Sequence, residues 1–353
     1  MNDLEDQLNA IHTSESQRNA AAATLRQMIM SFRVTQMIHV AAKLHIADRL
    51  AKGPQTAGQL AAATGAEPRA LYRLLRALAS VGLFREAEDG AFVLTSVGQA
   101  LRTDVAGSAH GLALLYGEEW LWQAYGHMHH SVCTGEPAFE QVHGAPLFDF
   151  LTARPDAAAV FNEAMSGFSG QEADAILAAY DFSRARKVVD IGGGEGALIA
   201  AILRRYPQLT GLLFDRDAVA AAAEDKLAGA GLATRSLCIG GDFFDSVPCN
   251  GDVYLLKSII HDWRDGEALQ ILGNCRRAMK PQARLLLAER IIPEGDGAAE
   301  AKLFDISMMV VAGGQERTER EHRALLAAAG FEVARVIPTR SPLSLIEALP
   351  VEA

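Results

Sequence analysis

The chain has 353 residues, 50% of them hydrophobic, and its formal net charge is −10. The apolar fraction is ample for a sizeable core, and the acidic balance argues against a nucleic-acid surface, which is normally rich in Lys and Arg. The four cysteines show no C-x-x-C pair and no zinc spacing, so we expect reduced thiols. With no signal peptide or membrane-spanning apolar run, we expect a cytoplasmic protein that binds small molecules and no membrane.

The N-terminal residues, 1–105, predict a helical module. Residues 20–50 carry apolar side chains at helical spacing, which is more apolar surface than an exposed helix can hold and indicates mutual burial in a dimer. Short helices from Thr56 and Pro68 and a hairpin around the turn at 88–90 are the elements of a winged helix. We expect a dimerisation domain. A DNA-binding module is the alternative, which the acidic surroundings disfavour.

The segment 106–180 is helical and rich in bulky side chains. Most of these side chains are expected to be core, while a few could wall a pocket for a flat aromatic substrate. The candidate wall residues are Trp120, Phe161 and Met165. The group His127, His129 and His130 suggests a metal site, but no carboxylate or cysteine pattern accompanies it, and we expect no metal.

From residue 181 to residue 353, apolar strands alternate with amphipathic helices. Strands are expected at 187–191, 211–215, 235–239, 252–257 and 283–289. Such alternation predicts a parallel, doubly wound α/β sheet with helices on both faces. A hairpin over 331–337 and 343–346 is expected to close the chain.

A glycine-rich turn follows the first of these strands, where the apolar run ends at Asp190 and continues through Gly192 and Gly194 into a helix. This pattern also fits a dinucleotide fold, so a dehydrogenase is one alternative. A pyrophosphate, however, favours a turn without competing negative charge, and Asp190 and Glu195 are both acidic. S-adenosylmethionine offers a cationic ammonium and sulfonium to carboxylates and two ribose hydroxyls to an acid such as Asp215. The turn therefore favours S-adenosylmethionine.

Polar residues recur at the ends of the other predicted strands, where ligands bind in open parallel sheets. Asp242 is placed to meet the adenine amino group, and Phe243 is placed to lie against its ring. Lys257 could meet the cofactor carboxylate or remain a solvated lysine. Together with Asp190 and Asp215, these residues predict one continuous cofactor edge.

His261 is the candidate general base, because an unperturbed imidazole titrates near pH ~6.5. A phenol has a pKa near ~10, so its attack on a sulfonium methyl is poor unless the proton leaves. Glu289, at the next strand end, could accept the other imidazole N–H and fix its tautomer. Glu316 could do the same from the loop 313–317. A capping or core histidine is the alternative for His261.

The ordered motifs resemble those of the class I S-adenosylmethionine-dependent O-methyltransferases, which include caffeic acid O-methyltransferase and bacterial enzymes that modify aromatic polyketides. The resemblance covers nearly the whole chain. It rests on V-D-I-G-G-G-E-G at 189–196, L-F-D-R at 213–216, G-G-D-F-F at 240–244, K-S-I-I-H-D-W at 257–263, A-E-R-I-I-P at 288–293 and G-G-Q-E-R-T at 313–318. It implies a Rossmann-like methyltransferase sheet over 181–353, a helical segment over 106–180 that covers the acceptor pocket, and an N-terminal winged-helix-like dimerisation domain.

The resemblance also implies residue roles, with His261 as general base and Glu289 and Glu316 as the pair that orients it. Candidate cofactor-binding residues are Ser169, Asp190, Gly192, Gly194, Asp215, Arg216, Asp242, Phe243 and Lys257. Candidate acceptor-pocket residues are Trp120, Phe161, Met165, Asp262 and Met308, the last where the family has a substrate-positioning methionine.

Two features limit the transfer of function. Asp217 stands where the family commonly has proline, and some family members use the site for decarboxylation or hydroxylation. We expect a homodimeric, metal-independent O-methyltransferase of bacterial secondary metabolism that acts on a phenolic or enolic hydroxyl of an aromatic small molecule. A same-fold decarboxylase or hydroxylase and a ligand-sensing DNA-binding regulator are the alternatives.

Overall fold

A computed structural model describes residues 17–297 and 299–351, except the side chains of residues 166, 168–170 and 299. Contacts divide the chain into two compact units, Met1–Glu118 and Glu119–Ala353. The domain limits expected from the sequence stay a prediction. No helix within the described ranges has both the length and the apolar character needed to cross a membrane.

The first unit is mainly helical. A helix over 17–30 is followed by helices at Phe32–Lys43, Ile46–Leu50, Ala57–Thr64, Pro68–Ser80, Ser96–Gln99 and His110–Leu115. The strands β1 (Gln55–Thr56), β2 (Phe84–Glu86) and β3 (Ala91–Leu94) form an antiparallel sheet in the order β1-β3-β2. The hairpin is therefore confirmed.

The predicted starts of the two short helices are also confirmed, and each has a capping side chain. The Thr56 hydroxyl accepts a hydrogen bond from the Gln59 amide, and the Glu67 carboxylate caps the helix that begins at Pro68. The stretch over 20–50 with apolar residues at helical spacing is helical, but it is not a single helix. It is divided at Ser31 and again at Leu44–His45, where His45 has a φ of +50°, a left-handed conformation that an α-helix cannot continue.

The second unit is built on a central sheet. Its strands are β4 (Lys187–Ile191), β5 (Thr210–Asp215), β6 (Ser236–Gly240), β7 (Val253–Lys257), β8 (Arg284–Ile292), β9 (Arg317–Thr318), β10 (Phe331–Pro338) and β11 (Leu343–Pro350). Its helices are Glu119–Gly126, Met128–Thr134, Ala138–His143, Leu147–Thr152, Pro155–Ala179, Ala197–Arg205, Asp217–Gly229, Asp265–Ala278, Ala299–Ser307 and Glu319–Ala328, with a 3₁₀ turn at Ile260–Asp262 and a π-helix at Met308–Ala312.

The strand order is β10-β11-β8-β7-β4-β5-β6, with β9 paired to β8. The strands from β4 to β8 are parallel, whereas β10 and β11 form an antiparallel hairpin, so the predicted doubly wound sheet is confirmed. The parallel pairing of β9 with the end of β8 was not predicted, because two residues give no sequence periodicity.

The chain starts the sheet at β4 and adds strands on both sides of it, so a crevice opens beyond the carboxyl ends of β4 and β7. Apolar layers cover both faces of the sheet. The face of Val188, Leu255 and Leu286 packs on helices Pro155–Ala179 and Ala197–Arg205, and the face of Val189, Tyr254 and Leu287 packs on helices Asp265–Ala278 and Glu319–Ala328. This double burial holds the strand ends rigidly at one edge.

Candidate active site

The glycine turn after β4 is shaped by positive backbone angles at Gly192 (φ +67°) and Gly194 (φ +56°). A Cβ on Gly192 would overlap the Ile259 side chain, whereas a Cβ on Gly194 would meet no atom within 4 Å. Asp215 lies over this turn, since its Oδ2 accepts a hydrogen bond of 2.9 Å from the Gly194 amide and its Oδ1 one of 2.7 Å from the Arg216 amide. The turn therefore borders open space with a carboxylate at its rim.

Asp190 lies under the same turn and is only 2% exposed. Burial raises its pKa to about 7, with an opposing effect of Lys257 and a further rise from Asp215. Its Oδ2 has no hydrogen-bond partner within the described residues. Two neighbouring acids and an unpaired carboxylate oxygen make this strand end suited to a cationic group.

Lys257, at the end of β7, forms an ion pair of 2.9 Å with Glu172 of helix Pro155–Ala179. Glu172 is 5% exposed. Sequence analysis missed this residue, because a glutamate in the middle of a long helix carries no local motif. The pairing brings a further acidic residue to the predicted cofactor edge.

The remaining predicted cofactor residues follow β5 and β6. The Asp242 Oδ1 accepts a hydrogen bond of 2.8 Å from the Phe244 amide, and the Phe243 ring contacts the Trp263 ring at 5.9 Å. Arg216 donates a hydrogen bond of 3.2 Å to the Thr152 hydroxyl. The Ser169 side chain lies outside the described part of the structure.

His261 lies in the 3₁₀ turn after β7 and is 6% exposed. Its Nδ1 is 2.8 Å from Glu316 Oε1 and 3.8 Å from Glu289 Oε2, and its Nε2 is 3.6 Å from Asp262 Oδ1. Glu316 is thus the hydrogen-bond partner. Glu289 lies behind it, and its Oε1 accepts hydrogen bonds from the Ile259 and Ile260 amides.

The electrostatics of this cluster are dominated by buried carboxylates. Burial lowers the pKa of His261, but Asp262, Glu289 and Glu316 outweigh it and raise that pKa to about 9. Burial raises the pKa of Glu289 to about 7 and that of Asp262 to about 6, against the opposing effect of His261. Because a carboxylate can only accept a hydrogen bond, Nδ1 is the protonated nitrogen and Nε2 carries the lone pair when the ring is neutral.

Arg317 fixes the turn that carries His261, and sequence analysis missed it as a positioning residue. Its guanidinium, 2% exposed, donates to the carbonyl oxygens of Ile260 (3.0 Å) and Trp263 (2.9 Å) and to Asp265 (2.8 Å). The only available signal was its place in the motif at 313–318, because its partners are more than 50 residues away.

The loop before Arg317 approaches the turn closely. A Cβ on Gly314 would overlap the His261 carbonyl oxygen, which accepts a hydrogen bond of 2.8 Å from the Gln315 amide. Asp305 accepts one of 2.8 Å from the Glu316 amide. Glycine at 314 therefore allows Glu316 to reach the imidazole.

The predicted acceptor-pocket residues have varied surroundings. Trp120 packs against Phe139 and Phe150, with ring centroids at 6.0 and 5.6 Å. Phe161 contacts Phe148 at 6.3 Å. Met165 is 39% exposed, and Met308 begins the π-helix. Phe304, which sequence analysis did not single out, stacks on the His261 ring at 5.9 Å.

The residues around His261 are also candidate metal ligands. Within the described ranges, His261, Glu289 and Glu316 form the one group of three whose possible ligand atoms lie within 4.8 Å of one another. A cation bound there would have to displace the Nδ1–Glu316 hydrogen bond. The sequence also suggested a metal site at His127, His129 and His130. Of these residues, His129 lies on helix Met128–Thr134, with its Nε2 3.6 Å from Cys133 Sγ.

Two family models and several known proteins match this chain over most of its length. Residues 125–332 match the O-methyltransferase domain model and residues 26–104 match the O-methyltransferase dimerisation domain model. A phenazine O-methyltransferase from Lysobacter antibioticus is 46% identical over 330 residues, 94% of this chain and 96% of the relative. An 8-amino-8-demethylriboflavin N,N-dimethyltransferase from Streptomyces davaonensis is 39% identical over 95% and 97%.

A solved structure of the same kind contains two bound small molecules. It is an O-methyltransferase from neocarzinostatin biosynthesis, in complex with S-adenosylmethionine and 2-hydroxy-5-methyl naphthoic acid. Its TM-score is 0.79 and its sequence identity 32%, with 90% of this chain and 96% of that chain covered.

Proposed function

Since the chain belongs to the O-methyltransferase family, with S-adenosylmethionine as its cofactor, we propose that it methylates a phenolic or enolic hydroxyl of an aromatic small molecule, with His261 as general base. The observation that carries the proposal is the hydrogen bond of 2.8 Å between His261 Nδ1 and Glu316. It leaves the Nε2 lone pair for a proton of the acceptor.

The residues after β4, β5 and β7 fit the cofactor. The open space at Gly194, the Asp215 carboxylate over the turn and the unpaired Asp190 oxygen suit the ribose and the cationic end of S-adenosylmethionine. When bound, the cofactor supplies a methyl group on a positively charged sulfur. We assign Asp190, Gly192, Gly194 and Asp215 to binding of the cofactor.

His261 takes the hydroxyl proton at Nε2. A pKa of about 9 is close to the ~10 of a phenol, so proton transfer between the neutral imidazole and the phenol is nearly balanced. Only the neutral form of His261 can accept the proton, so turnover should rise as the pH approaches 9. The imidazolium that forms is stabilised by Glu316 and Glu289, which keep the ring in one orientation. Stabilising the charge on His261 is therefore the role that we assign to the buried acids Glu316 and Glu289.

An amine acceptor is the second candidate, because one relative is an N,N-dimethyltransferase. A neutral amine already has a lone pair for attack and needs no base beforehand. The carboxylate-supported imidazole therefore favours a hydroxyl acceptor over an amine. It also favours methyl transfer over the decarboxylation or hydroxylation found elsewhere in the family.

We also propose that the protein acts as a homodimer in bacterial secondary metabolism. The helical face of Leu25, Met28, Ile29 and Phe32 is between 49% and 65% exposed in one chain, and the dimerisation model covers these residues except Leu25. An apolar face of this kind would be buried against a second copy.

The test combines ligand binding with product analysis. Thermal unfolding should shift upward with S-adenosylmethionine and S-adenosylhomocysteine and remain unchanged with NAD. Incubation with 2-naphthol and with 2-naphthylamine should then give a one-methyl mass gain only for the naphthol. Methylation of the amine alone would overturn the choice of a hydroxyl acceptor, and salt-dependent binding to genomic DNA fragments would favour a regulator.

A further inference from the structure

Asn274 is a buried polar residue on the apolar face of a helix. It is 2% exposed on the helix Asp265–Ala278, whose other buried side chains are Ala268, Ile271, Leu272 and Cys275. Asparagine is a poorer helix former than alanine or leucine, and a buried amide costs free energy unless hydrogen bonds compensate. The contacts of the Asn274 amide should therefore explain its place in the helix.

The Asn274 amide reaches the loop that follows β6. Its Nδ2 donates hydrogen bonds of 2.7 Å to the Phe243 carbonyl oxygen and of 2.8 Å to the Phe244 carbonyl oxygen. Its Oδ1 accepts a hydrogen bond from the Arg277 guanidinium. Gln270, about one turn earlier on the same helix, donates a hydrogen bond of 2.9 Å to the Phe244 carbonyl oxygen. The Phe244 carbonyl is thus held by two side chains, and Asn274 also holds the Phe243 carbonyl.

The peptide group between Phe243 and Phe244 links Asn274 to Asp242. Asn274 binds the carbonyl oxygen of this peptide, and the Phe244 amide at its other end donates a hydrogen bond of 2.8 Å to Asp242 Oδ1. A peptide group is planar, so fixing its carbonyl also fixes the direction of its N–H. The orientation of the Asp242 carboxylate therefore depends on Asn274.

Aromatic packing holds the same loop less specifically. The rings of Phe243 and Phe244 contact the Trp263 ring, with centroid distances of 5.9 Å and 4.7 Å. The burial of apolar surface is a non-directional effect, so these contacts hold the loop in place without fixing the plane of its peptide. The directional restraint comes from the Asn274 hydrogen bonds.

We infer that Asn274 is a positioning residue for the cofactor. By holding the Phe243–Phe244 peptide, it keeps the Asp242 carboxylate in the orientation that accepts a hydrogen bond from the 6-amino group of adenine. This inference rests on the proposed function for its cofactor and on the adenine contact expected for Asp242, and it does not depend on the acceptor. Because Asn274 acts through Asp242, its loss should change recognition of the base rather than of the rest of the ligand.

The experiment measures recognition of the base without turnover. Calorimetry compares S-adenosylhomocysteine with the analogue whose base is purine, which lacks the 6-amino group, for the wild type, Asn274→Leu and Gln270→Leu. Gln270→Leu is the matched control, since it removes an amide from the same helix while Asn274 still binds both carbonyls of the loop. Asp242→Ala and the double variant Asp242→Ala/Asn274→Leu complete a double-mutant cycle.

We expect the wild type and Gln270→Leu to bind S-adenosylhomocysteine about tenfold or more tightly than the purine analogue, the size of a hydrogen bond to a charged group. Asn274→Leu and Asp242→Ala should each lose most of this preference. In the Asp242→Ala background, Asn274→Leu should cause no further loss. Asn274→Asp keeps the size and the acceptor for Arg277 but not the donors, and it replaces Asn274→Leu as the informative variant if the latter does not fold.

A preference that survives in Asn274→Leu, or that Gln270→Leu abolishes to the same extent, would overturn the inference. Equal weakening of both ligands in Asn274→Leu, or additive losses in the double variant, would do the same, because they would show a structural role that does not pass through Asp242. Equal binding of the two ligands by the wild type would refute the adenine role of Asp242 and the inference with it. Loss of the preference in Asn274→Leu, in a protein that methylates no naphthol, would contradict only the proposed acceptor.

Discussion

Asp215, which ends β5, and the carboxylates around His261, which follow β7 and β8, are held by different kinds of partner. After β4 and β5, Asp215 accepts hydrogen bonds from the Gly194 and Arg216 amides. After β7 and β8, the side chains of Asp262, Glu289 and Glu316 surround the His261 imidazole. One oxygen of Glu289 and one of Glu316 have no hydrogen-bond partner within the described residues. The Asp215 carboxylate is thus held by backbone amides, whereas the carboxylates around His261 are coupled to one another through a single imidazole.

This difference determines how each region should respond to change. A backbone cradle keeps its shape when a distant side chain is replaced, because its hydrogen bonds are local. A buried cluster of titratable groups responds as a unit, since each charge sets the protonation of the others.

The largest effect is expected at the centre of the base cluster. His261→Ala should lower kcat by about 10²–10⁴-fold, the usual contribution of a general base, while the dissociation constant of S-adenosylmethionine is unchanged. Steady-state kinetics and calorimetry check this separation. A weaker cofactor affinity with normal kcat would mean that His261 belongs to the cofactor edge.

The two glutamates of the cluster should differ, because only Glu316 forms the short hydrogen bond to Nδ1. Glu316→Gln should lower kcat by roughly 10–100-fold, as for the loss of a group that fixes a tautomer. Glu289→Gln should have a smaller effect, since its carboxylate is 3.8 Å away. Both should lower the apparent pKa in the pH dependence of kcat/KM. Equal losses would contradict the distinction drawn from these distances.

At the cofactor edge, the ion pair between Lys257 and Glu172 has two separable roles. Lys257→Met leaves Glu172 buried without a cation, which should cost about 1–3 kcal/mol in the free energy of unfolding, and should also weaken S-adenosylhomocysteine binding several-fold. The double variant Lys257→Met/Glu172→Gln should recover the stability but not the affinity. If the double variant regains full affinity, Lys257 serves only as the partner of Glu172.

The smallest effect concerns stability and pH. The pKa of His261 is raised from 6.5 to about 9 in the folded protein, so its contribution to stability is fully present below pH 6.5 and is lost as the pH rises through 9. Without cofactor, the free energy of unfolding should therefore fall on the order of 1–3 kcal/mol between these values. Denaturant unfolding of the wild type and His261→Gln measures it, and an equal decline in both would assign it to other groups.

Much of the fold could be predicted from the sequence. The strands β4, β5, β6 and β7 begin and end within one residue of expectation, because continuous apolar runs between glycines and prolines identify strands covered on both faces. The ends of β8 and of the long N-terminal helix could not be predicted. β8 continues to Ile292 because it pairs with β9 beyond the expected end. The helix break at His45 has no glycine or proline beside it that would predict a break.

The sequence by itself determined the doubly wound sheet, the glycine turn and the candidate base, since each depends on residues close together in the chain. Only the tertiary structure decided that Glu316 bonds His261 while Glu289 lies behind it, that Glu172 pairs with Lys257 and that the Arg290 guanidinium lies over the Phe304 ring. These contacts join residues from 14 to 85 positions apart in the chain: His261 and Glu316 are 55 apart, Glu172 and Lys257 are 85 apart, and Arg290 and Phe304 are the nearest in sequence. Periodicity carries no information at such separations, and the pairing of charges is fixed only when the strands and loops pack.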